Sequence, residues 1–521
     1  MSTATHATST AEKAACRPGI VVEPIERLDA SRLERLHRGS LELLEDPGVV
    51  CFNEEAVAIF AEAGCRVEES ERDRANVVHV PARMVEEALA SAPSRVVLGA
   101  RRPADDLVLD AAIPRVYFGT GSETNTFLET RVTPADGDGG ATSVGLRVEH
   151  EATRGSLRRL ADSARLCNAL EHLDFFIRNV NIQDEDIDDS TKDVNVFLAS
   201  LMYMTRHVQA GLTSLDALPH VVRMGELVAG SAERFRQAPV LSFIACLVKS
   251  PLQMVDDTTE KVIEIARRGL PLVISSSPQG GSTAPVQEEG MVMLINAEIL
   301  AGITLTQLVR PGTPVLYGAV PVRARLDTLH DLYGAPEFVH YNVDCVQLAR
   351  RYGLPCYSTA GVGDSKVPGL QASAEKTFSQ LAVAQAGAQY IHYAFGLLDR
   401  TGTFSPVQAV IDDANIGLVK QIVRPAQWDE EHIERALNDV RKVMSSGTRL
   451  FARLIRKQIR RGVVSGPYPL ESDDDRDRVL EAACRRVAAV RATPGERLLD
   501  DVLAAIRAEV PGLVPADRFE L

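Results

Sequence analysis

Short runs of β-branched and aromatic residues alternate with longer runs of helical periodicity through the middle of the chain. Strands that alternate with helices favour parallel pairing, and eight repeats predict an α/β fold, a (β/α)8 TIM barrel with its helices outside. An open doubly wound sheet is the alternative. The β-rich runs lie at 116–121, 175–180, 207–212, 240–247, 271–276, 314–318, 355–359 and 389–394. Candidate helices lie between them at 156–169, 191–205, 215–228, 257–268, 336–352 and 370–386.

The flanking regions have other patterns. Residues 1–25 are rich in Ser, Thr and Ala without an apolar period, which predicts a disordered tail. Residues 26–110 show mostly helical spacing and predict an N-terminal helical region, so the barrel domain takes 111–460. A loop is expected at 133–140, where turn-forming residues are dense. Residues 461–521 predict a C-terminal helical extension, with helical spacing at 479–490 and 498–510.

A glycine turn precedes the most apolar helical segment of the chain. Gly280 and Gly281 form this turn, and Ser282 or Thr283 is expected to accept the first free amide protons of the helix. Pro285 suits a first helical turn, and the acidic pair at 288–289 suits the positive end of the helix dipole. The sequence therefore predicts a helix start directly after the glycines.

Polar residues interrupt this apolar helix at Asn296, Glu298 and Gln307. Buried polar groups must find partners or bind something. Glu298 is therefore a candidate catalytic carboxylate. The alternative is a structural role, with Arg310 or a backbone amide as the partner of the carboxylate.

Composition excludes some functions. The chain has 521 residues, of which 45% are hydrophobic and 25% charged, with a net charge of −14, so a general basic surface for nucleic acid or an anionic membrane is not expected. Because no uninterrupted apolar run approaches about 18 residues and residues 1–20 lack a hydrophobic signal core, we expect a cytoplasmic protein. The eight cysteines are scattered without a CxxC pair and predict reduced thiols.

In a barrel of this kind the active site gathers at the carboxyl ends of the strands. His392 and Tyr393 end the last predicted strand, and a core histidine bonded to a carbonyl is the alternative for His392. Asp364 follows an earlier strand, and a loop-closing salt bridge with Lys366 is the alternative for that pair. The same rule selects Thr120, Gly121, Ser122, Asn179, Asn181, Thr213, Leu247, Ser250, Ser276, Gln279, Gly280, Tyr317 and Thr359.

No bound metal is predicted. The acidic run at 184–189 is typical of a solvated surface loop, and Cys345, Cys356 and His392 lack the spacing of zinc ligands. Glycine turns before helices often hold phosphate, which is the alternative for Gly280 and Gly281.

Several stretches, taken in order, resemble the trimethylamine methyltransferase family, and the likeness covers roughly residues 28–460. They are Leu-Glu-Leu-Leu-Glu-Asp-Pro-Gly at 41–48, Glu-Ala-Gly at 62–64, Val-Pro-Ala at 80–82, Tyr-Phe-Gly-Thr-Gly at 117–121, Ser-Pro-Leu at 250–252, the glycine turn and helix at 280–318, Gly-Ala-Pro-Glu at 334–337, Tyr-Gly-Leu-Pro at 352–355, Asp-Ser-Lys at 364–366 and Gln-Ala at 371–372.

This resemblance implies a barrel enzyme that moves a methyl group from a methylated amine to the Co(I) of a corrinoid protein. Such an enzyme needs to bind a cation with aromatic faces and carboxylates and to exclude water. The candidate catalytic residues are Glu298, His392 and Asp364. The candidate substrate-binding residues are Phe243, Gln279, Tyr317, Tyr333, Glu337, Lys366, Gln371 and Tyr393, and Gly280 and Gly281 are expected to let substrate or corrin approach the backbone.

One departure from part of the family narrows the substrate class. Members that use trimethylamine carry pyrrolysine, whereas this chain has only the standard residue types and resembles the non-pyrrolysine branch, which implies a quaternary amine such as glycine betaine. The carboxylate of a betaine would need a cationic partner, for which Arg323, Arg325 and Lys366 are candidates.

The corrinoid cofactor is expected on a separate protein, because no corrinoid domain is visible in the sequence. A homo-oligomer is expected for a barrel of this size. Direct transfer to tetrahydrofolate is an alternative for the acceptor. A binding protein of a different class, a barrel that binds a betaine or the corrinoid protein without turnover, is the other alternative.

Overall fold

The computed structural model describes residues 16–134, 146–447, 450–452, 455–456, 466–472 and 478–521. The helices are α1 (Ala30–Glu45), α2 (Glu54–Glu62), α3 (Ala82–Ser91), α4 (Leu157–Asn168), α5 (Asp189–Tyr203), α6 (Leu218–Ala229), α7 (Ala232–Gln237), α8 (Asp256–Arg267), α9 (Glu288–Val309), α10 (Pro336–Arg351), α11 (Leu370–Gln385), α12 (Pro406–Ile422), α13 (Glu430–Met444), α14 (Val479–Ala492) and α15 (Asp500–Glu509).

The strands are mostly short. They are β1 (Ile20–Val21), β2 (Val49–Cys51), β3 (Arg66–Ser70), β4 (Ala75–His79), β5 (Arg95–Leu98), β6 (Leu107–Asp110), β7 (Arg115–Phe118), β8 (Thr126–Pro134), β9 (Leu146–Arg154), β10 (Phe175–Ile177), β11 (His207–Ala210), β12 (Leu241–Ala245), β13 (Val248–Lys249), β14 (Gln253–Met254), β15 (Leu272–Ser276), β16 (Gln279–Gly280), β17 (Val315–Ala319), β18 (Val322–Ala324), β19 (Asp331–Leu332), β20 (Cys356–Thr359), β21 (Tyr390–His392), β22 (Leu397–Leu398) and β23 (Thr403–Phe404).

A curled nine-stranded sheet forms the centre of the protein, in the order β1-β7-β21-β20-β17-β15-β12-β11-β10. Every neighbouring pair is parallel except β1 with β7. Each of the eight predicted β-rich runs overlaps one of the parallel strands. From β10 to β21 the strand order follows the chain, and β7 then lies beside β21. Because this order lacks the reversal that marks a doubly wound sheet, the alternative topology is not supported.

The two outer parallel strands, β7 and β10, also contact each other. Gly119, just after β7, forms a parallel bridge with Phe175 of β10. The amide of Asp174 donates to the carbonyl of Phe118 over 2.7 Å. The curled sheet therefore brings its two outermost parallel strands together.

A β-hairpin covers the end of the sheet where the strands begin. Strands β5 and β6 pair with each other, and their buried side chains cluster with residues of the parallel strands, which include Tyr357. This amino end of the sheet is therefore filled by side chains, which leaves the opposite, carboxyl end for loops. The cluster includes Val96, Leu98, Leu107, Leu109, Tyr117, Phe175 and Tyr390.

The N-terminal region contains more strand than its helical spacing predicted. Helices α1, α2 and α3 are present, but β2 lies between β14 and β4 in a five-stranded sheet. The β-branched runs at 49–50 and 77–78 explain the difference, since such residues favour strands.

Of the predicted tail, residues 1–15 lie outside the described residues. Residues 16–25 differ from the prediction because β1 joins the main sheet and Arg17 donates to Asp174 over 2.5 Å.

Helix α9 begins later than predicted. Its N-cap is Gln287 without a side-chain cap, and Thr283 instead accepts from the amide of Gln279 over 3.0 Å. The expected capping by Ser282 or Thr283 was wrong because a tight turn at 279–284 uses these residues before the helix starts.

Helix α9 is long and apolar enough to cross a membrane. However, 83% of its most apolar 18-residue segment is buried, which is typical of a core helix.

The C-terminal helices α14 and α15 pack onto the rest of the protein. Arg491 at the end of α14 lies 2.9 Å from Glu129 and 2.5 Å from Asp162. Arg518 pairs with Asp184 over 2.8 Å, so part of the acidic run at 184–189 contacts the C-terminal extension.

Of the predicted loop at 133–140, residues 133–134 belong to β8 and the rest lie outside the described residues.

Candidate active site

Strained backbone is concentrated in the loops at the carboxyl end of the sheet. Ser122 after β7, Leu252 after β12 and Tyr393 after β21 have φ of 65°, 52° and 67°. Asp399 and Arg400, further along the last loop, have φ of 45° and 64°. Left-handed backbone at non-glycine residues costs free energy and is found disproportionately at functional sites. This end of the sheet is therefore the first candidate for a site.

Three aromatic rings meet there, and we call Tyr357, His392 and Tyr393 the ring cluster. The ring of Tyr357 stacks on that of His392, with centroids 4.0 Å apart and planes inclined by 22°. Tyr393 meets His392 edge-on, with centroids 3.8 Å apart. Strands β20 and β21 are neighbours in the sheet, which brings these side chains together.

His392 is buried and only half satisfied. Its Nε2 lies 2.7 Å from the hydroxyl of Thr359, which in turn donates to the carbonyl of Ala319 over 3.1 Å. Its Nδ1 has no hydrogen-bond partner among the described residues. Burial holds the pKa of His392 well below its usual value, so the imidazole is neutral near pH 7. A buried nitrogen without a partner is a site where a ligand or water can bind.

Cys246 adds a thiol to the ring cluster. The side chain of Cys246 is exposed, yet the protein atoms around it raise the pKa of its thiol by burial. Both observations hold if the thiol opens onto an enclosed space among protein atoms. Its sulfur lies 2.8 Å from the hydroxyl of Ser275. Burial raises the pKa of Tyr357 and of Tyr393, and the charge of the neighbouring Cys246 thiolate adds to both shifts. Nothing in the amino-acid sequence singles out Cys246 beyond its place just after a strand.

Asp331 places a carboxylate beside the rings. Gln279 donates to it over 2.7 Å, and the hydroxyl of Tyr333 lies 3.5 Å from it. Burial raises the pKa of Tyr333, followed by the charges of Tyr393 and Asp331. Arg400 donates to the backbone carbonyl of Asp331 over 2.9 Å. The structure thus brings the predicted residues Gln279, Tyr333 and Tyr393 together through Asp331, a residue that the sequence did not single out.

Asp364 supports a loop of this site. It accepts from the amides of Tyr333 and Gly334, each over 2.9 Å. Burial raises the pKa of Asp364, although these amides favour its charged form. The suggested salt bridge with Lys366 is absent from the described residues, where Lys366 is exposed without an ion pair. The carboxylate of Asp364 fixes the backbone that carries Tyr333.

Glu298 has protein partners for both of its oxygens. One oxygen accepts from the amide of Leu252 over 2.9 Å, and the other accepts from the hydroxyls of Ser250, over 2.7 Å, and Ser276. Burial raises the pKa of Glu298, while these hydrogen bonds act in the opposite direction. The carboxylate therefore ties the loop after β12 to the end of β15.

Two predicted aromatic ligands lie on the outer face of the sheet. The hydroxyl of Tyr317 donates to Asn296 of α9 over 2.9 Å. Phe243 packs against Phe197 of α5, with ring centroids 5.9 Å apart. Because side chains alternate between the faces of a strand, both residues point into the helix layer, so the structure does not bring them together with the ring cluster.

The remaining predicted residues lie at the periphery. Glu337 is 3.9 Å from Arg323, and Gln371 is exposed and donates to Glu375 over 2.8 Å. Arg325, a second candidate for binding a carboxylate, is held by both oxygens of Asp327 over 3.0 and 2.8 Å.

The two glycines serve the tight turn before α9. Gly281 has a φ of +92°, which strongly favours glycine, and its amide donates to the carbonyl of Ala284 over 2.9 Å. A Cβ on Gly280 would lie 3.0 Å from the hydroxyl of Tyr341. These contacts account for both glycines by backbone geometry and packing.

No group of three or more His, Cys, Asp or Glu residues in the described part of the chain could hold a metal ion. A surface cleft of about 630 Å³ lies away from the rings, between α1, α9 and α10. Its lining includes Arg27, Leu28, Leu36, Glu288, Met293 and Asp344.

Comparisons with known proteins agree on one family. The model of the trimethylamine methyltransferase (MTTB) family matches residues 2–135 and 138–452. Trimethylamine methyltransferase MttB of Desulfitobacterium hafniense strain DCB-2 is 31% identical over 415 residues, covering 80% of this chain and 78% of that protein. Trimethylamine methyltransferase MttB1 of Methanosarcina mazei is 31% identical over 424 residues, covering 79% and 78%. Glycine betaine methyltransferase of D. hafniense strain Y51 is 24% identical over 435 residues, covering 83% and 84%. With the matched family model spanning most of its length, the chain belongs to the trimethylamine methyltransferase family.

Proposed function

We propose that this protein demethylates a small quaternary amine of the betaine type and passes the methyl group to the Co(I) of a separate corrinoid protein. Family membership supports the reaction class, and a similar protein named glycine betaine methyltransferase supports the substrate class. The observation that carries the proposal is the ring cluster at the carboxyl end of the sheet, joined by Cys246 and Asp331.

The ring cluster suits a methylated ammonium ion. The attraction between a cation and an aromatic face is about 0.5–1 kcal/mol at an exposed site and about 2 kcal/mol or more when water is excluded. The low pKa of His392 keeps its imidazole neutral, so it does not repel a cation near pH 7. The carboxylate of Asp331, next to Tyr333, supplies negative charge close by.

We propose further that the curled sheet closes into an eight-stranded barrel. The bridge between Gly119 and Phe175 supports closure, as does the hydroxyl of Thr120, which accepts from the amide of Ile177 over 2.9 Å and donates to its carbonyl over 2.6 Å. A closed barrel would direct all eight strand ends toward the ring cluster.

The acceptor supplies the nucleophile, and this chain binds and orients the cation and excludes water. Glu298 and Asp364 are then positioning residues, which hold the loops of the site in place. Glu298 holds the loop after β12, near Cys246, and Asp364 holds the backbone of Tyr333. We place three residues in contact with substrate, namely His392, Tyr393 and Tyr357.

The test is a methyl-transfer assay with the purified chain, a reduced corrinoid protein and a panel of methylated amines. The appearance of methylated cobalt is followed by absorbance. We expect turnover with at least one quaternary amine and much less with trimethylamine. Methylation of tetrahydrofolate without any corrinoid protein would overturn the proposed acceptor, and tight binding of an amine without turnover in either assay would indicate a binding protein.

A matched pair of variants separates the site from the fold. Tyr357→Leu removes a ring of the cluster, whereas Phe243→Leu removes a ring from the outer face of the same sheet. The proposal predicts that only Tyr357→Leu raises the substrate concentration needed for half-maximal rate. Equal effects of both substitutions would show that the ring cluster does not bind the amine.

A further inference from the structure

Helix α13 lies on the outside of the protein and exposes most of its residues. Of its 15 residues only Val443 is buried. It begins at a complete capping box, in which Asp429 accepts from the amide of His432 over 3.1 Å. The sequence thus encodes a stable helix that uses little of its surface to pack against its own chain.

One side of α13 carries a row of exposed apolar side chains. Ile433, Leu437, Val440 and Met444 are 38%, 43%, 47% and 54% exposed. They are spaced by four, three and four residues, which is the spacing of the seam in a two-helix coiled coil. We call these four residues the α13 seam. Four exposed apolar residues in a single row are unusual for a protein surface that nothing covers.

Charges beside the α13 seam are arranged for pairing with a copy of itself. Glu434 and Arg441 are seven residues apart and therefore lie on the same flank of the seam. When two identical helices run antiparallel, this flank of one helix faces the same flank of the other, so Glu434 of each copy meets Arg441 of its partner. A parallel pair would not bring these residues together.

The ends of α13 strengthen the same polarity. Glu430 lies in its first turn and Arg441 in its last, both on the flank that carries Glu434. Antiparallel pairing sets the acidic end of each copy against the basic end of the other, and a twofold interface requires this kind of self-complementarity.

We propose that the α13 seam is a homodimer interface, in which two copies of this chain pair their α13 helices antiparallel. The occupant of the seam is a second copy, because the charges on its flank complement themselves. The interface lies on α13 and is independent of the proposed chemistry at the ring cluster.

Sedimentation velocity of the full chain over a range of micromolar concentrations tests the pairing. The wild-type chain should sediment as a species with an even number of copies. Leu437→Glu places a charge in the seam and should halve that number while the far-ultraviolet circular dichroism and melting temperature stay unchanged, because Leu437 is exposed.

A charge exchange tests the antiparallel arrangement. Glu434→Arg and Arg441→Glu should each weaken dimerisation at least tenfold by placing like charges together, and the double variant should return to within about threefold of wild type. A mixture of the two single variants should form heterodimers. Lys442→Glu is the control, since it makes the same change in charge roughly 140° around the helix from Leu437.

Three results would overturn the proposal. They are a wild-type chain that stays monomeric at 100 µM, an association that Leu437→Glu leaves intact, and a double variant that dimerises no better than the single ones. If a reduced corrinoid protein were to bind the wild-type chain but not the Leu437→Glu variant, while the wild-type chain alone remained monomeric, the seam would belong to that partner instead.

Discussion

The two ends of the curled sheet each hold a buried histidine, but only one of them is fully bonded. At the amino end, Nδ1 of His207 bonds to the carbonyl of Gly99 over 2.8 Å and Nε2 to the hydroxyl of Ser242 over 2.7 Å. At the carboxyl end, His392 has one bonded nitrogen and one without a partner among the described residues. Burial lowers the pKa of both.

This difference in hydrogen bonding distinguishes a functional histidine from a structural one better than the residue type does. His207 completes a network that fixes the covered end of the sheet. His392 lies among rings at the end with strained loops, and its free nitrogen is available to something outside the protein chain. A buried polar group indicates a functional site when its bonding capacity is left unused.

The largest expected effect concerns these two histidines. His392→Ala removes the centre of the ring cluster and should lower kcat/KM for methyl transfer at least a hundredfold, about 3 kcal/mol of transition-state stabilisation. His207→Gln should stay within about threefold of wild type per folded molecule. The corrinoid-coupled assay, normalised to the folded fraction, measures both. If His207→Gln lost as much activity as His392→Ala, the contrast between the two ends would fail.

The contribution of His207 to the free energy of unfolding should decrease at acid pH. Burial lowers the pKa of this histidine to about 4, against about 6.5 in an unfolded chain, so the unfolded state binds a proton over this range and the folded state does not. The stability due to the neutral imidazole is fully present above pH 6.5 and is lost as the pH falls towards 4, by about 3 kcal/mol.

Urea unfolding between pH 7 and pH 4 measures this loss. His392 contributes in the same direction, so the comparison is between wild type and His207→Gln. The variant should be less stable at pH 7 but lose stability less steeply with acid. Parallel curves for the two proteins would rule out the neutral His207 as a cause.

Glu298 should act on stability more than on rate. Glu298→Gln replaces a carboxylate that accepts three hydrogen bonds by an amide that cannot accept them all, leaving a buried donor without a partner. We expect a loss of about 2 kcal/mol in the free energy of unfolding and a change in kcat/KM within about fivefold. A hundredfold loss of rate with unchanged stability would instead place Glu298 among the catalytic residues.

The smallest effect is expected at the outer face. Tyr317→Phe removes the hydrogen bond to Asn296 and should cost about 1 kcal/mol of stability without changing the rate. Thermal melting and the methyl-transfer assay measure the two quantities. A tenfold loss of rate would show that Tyr317 contacts the substrate after all.

The strands could be predicted from sequence because each is a short apolar run with turn residues around it. The face on which each side chain lies was harder to predict. Tyr317 and Phe243 end up among the helices because an uncertainty of one residue in strand register exchanges the two faces.

Polar partners were the second limit. Asn296 and Glu298 stand out in an apolar helix, yet their partners come from distant segments, with Ser40 and Tyr352 bonded to Asn296. The pattern of residues reveals that a polar group is buried, while only the packed chain reveals whether it is satisfied. Cys246 and Asp331 were missed for the same reason, because their role depends on neighbours from other strands.

The most direct measurement is the rate at which a small neutral thiol reagent modifies Cys246, followed by mass spectrometry of the peptide that contains it. If the ring cluster binds the substrate, a quaternary amine that supports methyl transfer should slow this modification in a saturable way. Tyr357→Leu should abolish the protection, while Tyr317→Phe should keep it. Modification of Cys246 at the same rate with and without such a saturating substrate would contradict a binding site at the carboxyl end of the sheet.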